Sequence, residues 1–288
     1  MDWRDRAGNT VPGETGKDRR LQFLYGTGFG RLLVKVLICP PVSKAAGWLM
    51  DTKLSALAIK PFLKKSRINM DEYEQRSFRS FNDFFTRRIL EGKRPVDMDP
   101  AHLIAPCDSK LSVYPITEDA RFTVKEMPYT VSQLLGDEKL ARRYCGGQFL
   151  LFRLTVDDYH RYSYIDSGAK GENIHIDGVF HTVNPAAGER YPIYKENTRE
   201  YTLIETERFG TVLQMEVGAT LVGRIRNDHG PMQVRRGSEK GRFEFGGSTV
   251  IVCLEPGRAL IDEDILGNTR EGVETVVKLG TRIGIACD

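Results

Sequence analysis

The chain has 288 residues, of which 40% are hydrophobic and 28% are charged, and its formal net charge is +3. This composition is typical of a globular protein and excludes a disordered, collagen-like or disulfide-rich chain. Its five cysteines are scattered and form no CxxC pair, so we expect no disulfide framework, no metal site and a reducing compartment.

Residues 1–20 are polar and contain glycine and proline, so we expect a loose N-terminus. The segment lacks the apolar core of a signal peptide. No run in the chain approaches the ~18–20 apolar residues needed to span a bilayer.

Residues 21–67 form a basic, apolar front segment whose pattern is helical. Residues 20–70 carry nine lysines and arginines against the single acid Asp51. Pro40 and Pro41 divide the pattern, because proline cannot continue a helix. Two interpretations stay open from the pattern alone: core helices with solvated lysines, or a surface anchor with its apolar face in lipid and its lysines at anionic head groups.

Two short helices carry capping signals. In SFNDFFTRRI, Ser80 and Asp83 have the spacing of a capping box. In TVSQLLG, Thr130 and Gln133 have the same spacing, and Gly136 is placed to end the helix.

From residue 149 onward the chain is dominated by short β-branched or aromatic runs separated by turn residues. These runs are FLLFRLT, NIHIDGVF, EYTLIET, TVLQMEV, ATLVGRIR, MQVRR, STVIVCL and TVVKLG. They predict an α+β fold in which front helices precede a β-rich, mostly antiparallel core that is barrel-like or sandwich-like.

Four residues are candidates for chemistry: Asp108 in APCDSKLS, His160 in TVDDYHRYSYID, His181 in GVFHTVNP, and Ser248 in FEFGGSTVIVCLEPG. A serine with a histidine and an acid suggests nucleophilic chemistry, although turn and structural roles are commoner for such residues. A strand follows the serine, so a strand–turn–helix nucleophile elbow is excluded and a serine hydrolase is disfavoured. No P-loop, GxGxxG fingerprint or HExxH is present.

Seven segments in fixed order resemble the phosphatidylserine decarboxylase family, whose members are pyruvoyl-dependent and made as proenzymes. They are FNDFFTRRI, PCDSKLS, DDYHRYSYIDSG, GVFHTVNP, ENTREY, VGATLVGRI and KGRFEFGGSTVIVCLEPG. The resemblance runs from about Phe23 to the C-terminus.

The resemblance implies that Ser248 makes the cofactor from the backbone. Its Oγ attacks the carbonyl of Gly247 to give an ester, and β-elimination and hydrolysis with loss of ammonia leave a pyruvoyl group. The implied products are a β chain, residues 1–247, and an α chain, residues 248–288. Glycines before the serine permit the unusual backbone that this attack needs.

The implied reaction is decarboxylation of phosphatidylserine through a Schiff base with the pyruvoyl carbonyl, which releases CO2 and phosphatidylethanolamine. The implied partners are phosphatidylserine in a membrane, the membrane surface, and the two fragments as a heterodimer that itself dimerises; no nucleic acid is expected. A lipid substrate favours the docking interpretation of residues 21–67, with residues 68–288 as the catalytic domain. The expected location is the cytoplasmic face of the cell membrane, as a peripheral protein.

The family pattern also implies a base and its orienting acid for cleavage. Asp108 matches the acid, although CDS replaces the usual D-G. His160 matches the first histidine of the family's Y-H-R-x-H, but Ser163 stands at the second. His160 and His181 are both candidates for the base. We favour His181 for cleavage and His160 for proton transfer to substrate.

Two rival functions stay open. One is a non-catalytic lipid-binding relative, which the missing second histidine permits and the retained pair Gly247 and Ser248 disfavours. The other is a pyruvoyl decarboxylase of a soluble amino acid, which the basic apolar front segment disfavours.

Overall fold

A computed structural model describes residues 3–12, 40–74, 77–124, 127–179, 193–219, 224–245 and 248–287. Within these ranges the chain has a strand-rich mixed fold with few helices, which confirms the predicted α+β class.

An eleven-stranded sheet forms the centre of the fold. Its strands in spatial order are β14 (Met232–Val234), β9 (Gly168–Lys170), β11 (Arg199–Thr206), β12 (Thr211–Val217), β16 (Ser248–Leu254), β7 (Gln148–Leu154), β4 (Ser109–Pro115), β18 (Glu274–Val277), β1 (Trp3–Arg4) and β2 (Thr10–Val11), with β10 (Ile174–Ile176) also paired to β11. Among the described strands only β1 and β18 pair in parallel, and Val179 and Asn197 form a single parallel bridge outside the strands, so the predicted mostly antiparallel character is confirmed.

Three smaller sheets surround the central one. They contain β13 (Arg224–Asn227), β15 (Glu239–Glu244) and β8 (Arg161–Ser163); β17 (Ala259–Ile261), β19 (Arg282–Ala286) and β3 (His102–Ile104); and β5 (Arg121–Val124) with β6 (Met127–Thr130).

The described helices are short and lie mostly outside the central strands. They are α1 (Pro40–Asp51), α2 (Ile59–Leu63), α3 (Phe81–Phe85), α4 (Val131–Leu135), α5 (Glu138–Ala141), α6 (Ile193–Glu196) and α7 (Glu263–Arg270), with 3-10 turns at Lys53–Ala58, Met70–Glu72 and Arg142–Tyr144. Ser80 Oγ accepts a hydrogen bond from Asp83 N, which confirms the predicted cap of α3. Thr130 likewise caps α4, and Gly136 ends that helix in the left-handed region at φ 66°.

The middle strands of the central sheet are buried on both faces. Leu151 and Ile251 belong to one apolar cluster, while Phe152, Val250 and Val252 belong to the other. Side chains of a strand alternate between faces, so an unbroken apolar run such as STVIVCL fits a strand covered on both sides. The strand that starts at Ser248 is therefore held rigidly inside the protein.

One feature of the predicted fold is wrong. The edge strands β14 and β2 do not pair with each other in the described residues, so the sheet is open rather than barrel-like. Strand density in a sequence cannot report closure, because closure depends on the register of remote strands. Within residues 3–12, β1 pairs with β18 and Trp3 is buried, while the rest of the N-terminal segment predicted to be loose lies outside the described residues.

The described part of the front segment packs one face on α3 and exposes the other. Phe62 lies 5.3 Å from Phe81 between ring centroids. Trp48, Leu54 and Leu57 are 68%, 74% and 78% exposed. Residues 21–39 lie outside the described ranges. No helix within the described ranges combines the length and the apolar character needed to cross a bilayer.

Candidate active site

Ser248 is the first residue of β16 and is fixed by strands on both sides. It lies opposite Leu154 of β7, and the next residue, Thr249, lies opposite Val217 of β12. Ser248 is fully buried, and its Oγ has no hydrogen-bond partner among the described residues. A buried hydroxyl left unbonded costs about 1–3 kcal/mol, and such a group in a native protein calls for a functional explanation. The other predicted cleavage residue, Gly247, lies outside the described residues.

One tight turn connects the partner of Ser248 to His160. The Asp158 carboxylate closes this turn: Oδ2 accepts from Thr155 N at 2.6 Å and from Thr155 Oγ1 at 2.9 Å. Lys110 Nζ, from β4, donates to both oxygens of the same carboxylate at 2.7 and 2.5 Å. The turn places His160 near the end of the sheet at which β16 begins.

The His160 imidazole is fully buried in an aromatic environment. Its Nδ1 lies 3.0 Å from Asp158 O, and its ring centroid lies 3.9 Å from that of Phe85. The His160 carbonyl accepts from Phe243 N at 2.9 Å, and the Phe245 ring lies 5.4 Å from Phe85. Since Phe243 and Phe245 shortly precede Ser248, these contacts bring His160 and the cleavage segment into one region.

Polar and apolar side chains of helix α3 both contact Phe245, which lies shortly before the cleavage site. Asn82 Oδ1 accepts from Phe245 N at 3.0 Å. Phe81 and Phe85 pack on the Phe245 ring with edge-to-face geometry at 5.0 and 5.4 Å. The sequence motif FNDFF thus anchors the chain just ahead of the cleavage site.

Asp108 is buried in a cage of cations rather than beside a described histidine. Arg94 donates to it from Nε at 3.0 Å and from Nη2 at 2.7 Å, Lys278 Nζ lies at 3.2 Å, and Leu279 N donates at 2.9 Å. Burial alone would raise the pKa of the Asp108 carboxyl, but Arg94 and Lys278 outweigh burial and hold this pKa below its ordinary value. Strand β7 separates β4 from β16, so Asp108 lies about 10 Å from Ser248 along the sheet.

Ser163, which stands where the family often has a second histidine, makes a structural contact. Its Oγ donates to Pro106 O at 3.2 Å, and its backbone N donates to the same oxygen. Beside it opens a cleft of about 290 Å³ whose lining includes Arg94 and Tyr159. Ser163 therefore joins β8 to the chain leading into β4.

His181 lies outside the described residues, but the chain shortly before it is fixed. Val179 N donates to Glu196 O at 2.9 Å, and Thr198 N donates to Val179 O at 3.0 Å. Thr198 O in turn accepts from Gly218 N, just beyond the end of β12. Val179 is therefore held beside the start of β11, which β12 separates from β16, and the assignment of the cleavage base stays a prediction.

Sequence reasoning missed three residues that organise this region: Arg87, Lys110 and Asp158. Asp158 could have been suspected, because an acid two residues before a candidate histidine often caps a turn. Arg87 and Lys110 carry no such signal, since isolated basic residues are usually solvent-exposed.

Known proteins match this chain over most of its length. The family model described as phosphatidylserine decarboxylase matches residues 81–285. "Phosphatidylserine decarboxylase proenzyme 2" of Clostridium acetobutylicum is 47% identical over 93% of this chain and 92% of its own length. The phosphatidylserine decarboxylase proenzymes of Ruminiclostridium cellulolyticum and Clostridium novyi are 41% and 38% identical over 94% and 93% of this chain, and over 92% of each relative.

The matched residues 81–285 include the strand that begins at Ser248, the turn before His160 and the cations around Asp108. The chain therefore belongs to the phosphatidylserine decarboxylase family.

Proposed function

We propose that this chain is a proenzyme that cuts itself between Gly247 and Ser248 and then decarboxylates phosphatidylserine to phosphatidylethanolamine. One observation carries the proposal: the Ser248 hydroxyl is fully buried, has no described hydrogen-bond partner, and heads a strand paired on both sides. Such a hydroxyl is shielded from solvent on a backbone that strand pairing holds in place, as an intramolecular nucleophile requires.

We assign the cleavage step to three residues. Ser248 Oγ attacks the Gly247 carbonyl carbon and its proton passes to the base. The base then gives this proton to the Ser248 nitrogen as the C–N bond breaks, which leaves an ester and a free amine. His181 is the proposed base, because Ser163 stands where the family often has its second histidine. Asp108 is the proposed orienting acid, and its cation cage supports an ionised carboxylate.

The buried Ser248 position fits a pyruvoyl group, which supplies the electron sink for loss of CO2. His160 is the proposed proton donor to the substrate α-carbon. Its ring lies against Phe85 and is closed off from solvent, so water does not compete for this proton. Such general acid catalysis contributes about 10²–10⁴-fold to a rate.

We propose that the described front segment, residues 41–67, docks on a membrane at its cytoplasmic face. Exposed Trp48, Leu54 and Leu57 provide apolar area, and the exposed lysines Lys64 and Lys65 lie farther along the segment. Removing a lipid from its bilayer costs about 0.8 kcal/mol for each CH2 exposed to water, so the enzyme must come to the membrane. The same segment packs on α3, which contacts His160, so membrane contact and the proposed site share one aromatic cluster.

The first prediction concerns cleavage. Freshly purified parent protein should show two fragments divided at Gly247, with an α fragment that gains the mass of two hydrogens on borohydride reduction. Ser248→Ala should stay a single chain, because it lacks the nucleophile. Intact mass spectrometry measures both, and Ser112→Ala, a buried strand serine outside the site, should cleave like the parent. A parent chain that stays whole would favour a non-catalytic relative.

The second prediction separates the two histidines. His181→Ala should slow cleavage at least ~100-fold, whereas His160→Asn should cleave normally and lose ~10²–10⁴-fold in decarboxylation rate. Cleavage is followed on gels after synthesis, and CO2 release is measured on the mature fraction. The exposed His175→Ala is the control. If His160→Asn slowed cleavage and His181→Ala cleaved normally but decarboxylated slowly, the two assigned roles would be reversed.

The third prediction concerns the membrane. Lys64→Glu with Lys65→Glu should weaken pelleting with vesicles rich in phosphatidylserine at least ~10-fold at low salt, because each basic residue near an anionic surface contributes ~1 kcal/mol. Lys139→Glu with Arg142→Glu makes the same charge change on exposed residues elsewhere and should pellet normally. Equal pelleting of both double variants would argue against docking through residues 41–67.

A further inference from the structure

Arg87 is a fully buried arginine beside the turn that carries His160. It lies two residues after the end of α3, and its guanidinium lies 4.4 Å from the Tyr73 ring centroid and 5.2 Å from that of Phe84. Among the described residues no carboxylate pairs with it, and its Nε and Nη1 have no hydrogen-bond partner. Burying a cation without a counter-ion costs free energy of folding, so a buried arginine at this position calls for a role other than stability.

All described hydrogen bonds of this side chain come from one nitrogen. Arg87 Nη2 donates to Asp158 O at 3.1 Å and to Asp157 O at 3.2 Å, with a longer contact of 3.4 Å to the Tyr73 hydroxyl. The guanidinium therefore fixes the direction of two successive carbonyls in the turn.

The Asp158 carbonyl has a second donor, which is His160. His160 Nδ1 lies 3.0 Å from the same oxygen. A carbonyl oxygen can only accept, and its two lone pairs allow two donors. Nδ1 must therefore carry the hydrogen, which places the lone pair of a neutral imidazole on Nε2. Nε2 is then the nitrogen that takes up the proton that His160 delivers to the substrate.

We propose that Arg87 is a positioning residue that holds the Asp158 carbonyl toward His160 and so fixes which imidazole nitrogen carries the hydrogen. The proposal rests on the role of His160 in proton transfer proposed above. Lysine is a poor substitute, because a flexible point charge lacks the planar geometry and ring stacking of the guanidinium.

The test reads the tautomer directly in a protein that performs no chemistry. In the uncut Ser248→Ala chain labelled with 15N-histidine, long-range 15N–1H correlation should show His160 protonated at Nδ1 and not at Nε2. His160→Gln in the same background identifies the signal. Adding Arg87→Met should convert this pattern to a mixture of tautomers, while the signals of His102, His175 and His229 stay unchanged and report an intact fold.

Tyr73→Phe is the matched control, because it removes the longest contact of Nη2 and leaves both carbonyl bonds in place. It should preserve the parent His160 pattern. If Arg87→Met does not fold, Arg87→Lys takes its place and should also lose the single tautomer. A parent-like His160 spectrum in the folded Arg87 variant would overturn the proposal, whatever the fate of the proposed enzymatic function.

An activity measurement distinguishes positioning from direct substrate binding. Arg87→Lys should cleave fully and show kcat lowered ~10-fold or more with KM for phosphatidylserine little changed. A raised KM with unchanged kcat would mean that Arg87 binds the anionic substrate, and would also overturn the proposal.

Discussion

The Asp158 carboxylate closes the turn between β7 and His160, and the arrangement of the site depends on this closure. It accepts two hydrogen bonds from Thr155 and forms an ion pair with Lys110. Hydrogen bonds to a charged group contribute about 1.5–3 kcal/mol each, so the turn is well fixed. Because β7 pairs with β16 from Leu154 and Ser248 onward, fixing the turn also fixes His160 relative to the strand that Ser248 begins.

Elements from distant parts of the sequence converge on this turn. The buried Trp3 ring lies 4.5 Å from Lys110 Nζ, so the N-terminal hairpin covers the cation that anchors Asp158. Arg87 reaches the carbonyl side of the same turn from α3. The front segment then packs on α3, which joins the proposed membrane surface to the proposed site through one aromatic cluster. The contacts that position the turn and His160 would thus already be present before the chain is cut at Ser248.

Local signals in the sequence predicted local structure. The capping residues Ser80 and Thr130 act as expected, because a cap depends only on residues within one turn. Most of the predicted runs from residue 149 onward contain described strands, since an apolar run bounded by turn residues has few alternatives. The motif series led to the correct family because it samples several separate elements at once.

Long-range contacts were not predictable in this way. Trp3 is buried and lies in β1, which pairs with β18 near the other end of the chain, and no pattern in residues 1–20 predicts this pairing. The described partners of Asp108 are Arg94, Lys278 and Leu279, and no pattern in the sequence indicates that these residues surround it. Its role in orienting a base stays a prediction. Arg87 resembles a surface residue in sequence, and its burial follows from the packing of Tyr73 and Phe84 around it.

Amide hydrogen exchange across residues 155–160 of the uncut Ser248→Ala chain tests the central role of Asp158 most directly. Adding Asp158→Ala should speed exchange there at least ~10-fold, about 1.4 kcal/mol of lost protection, while β16 stays protected. Asp157→Ala is the matched control, because the described contact of its carboxylate is a single long one, 3.3 Å, from Arg67 N. Unchanged exchange in Asp158→Ala, or equal acceleration in both variants, would contradict the view that this carboxylate sets the position of His160.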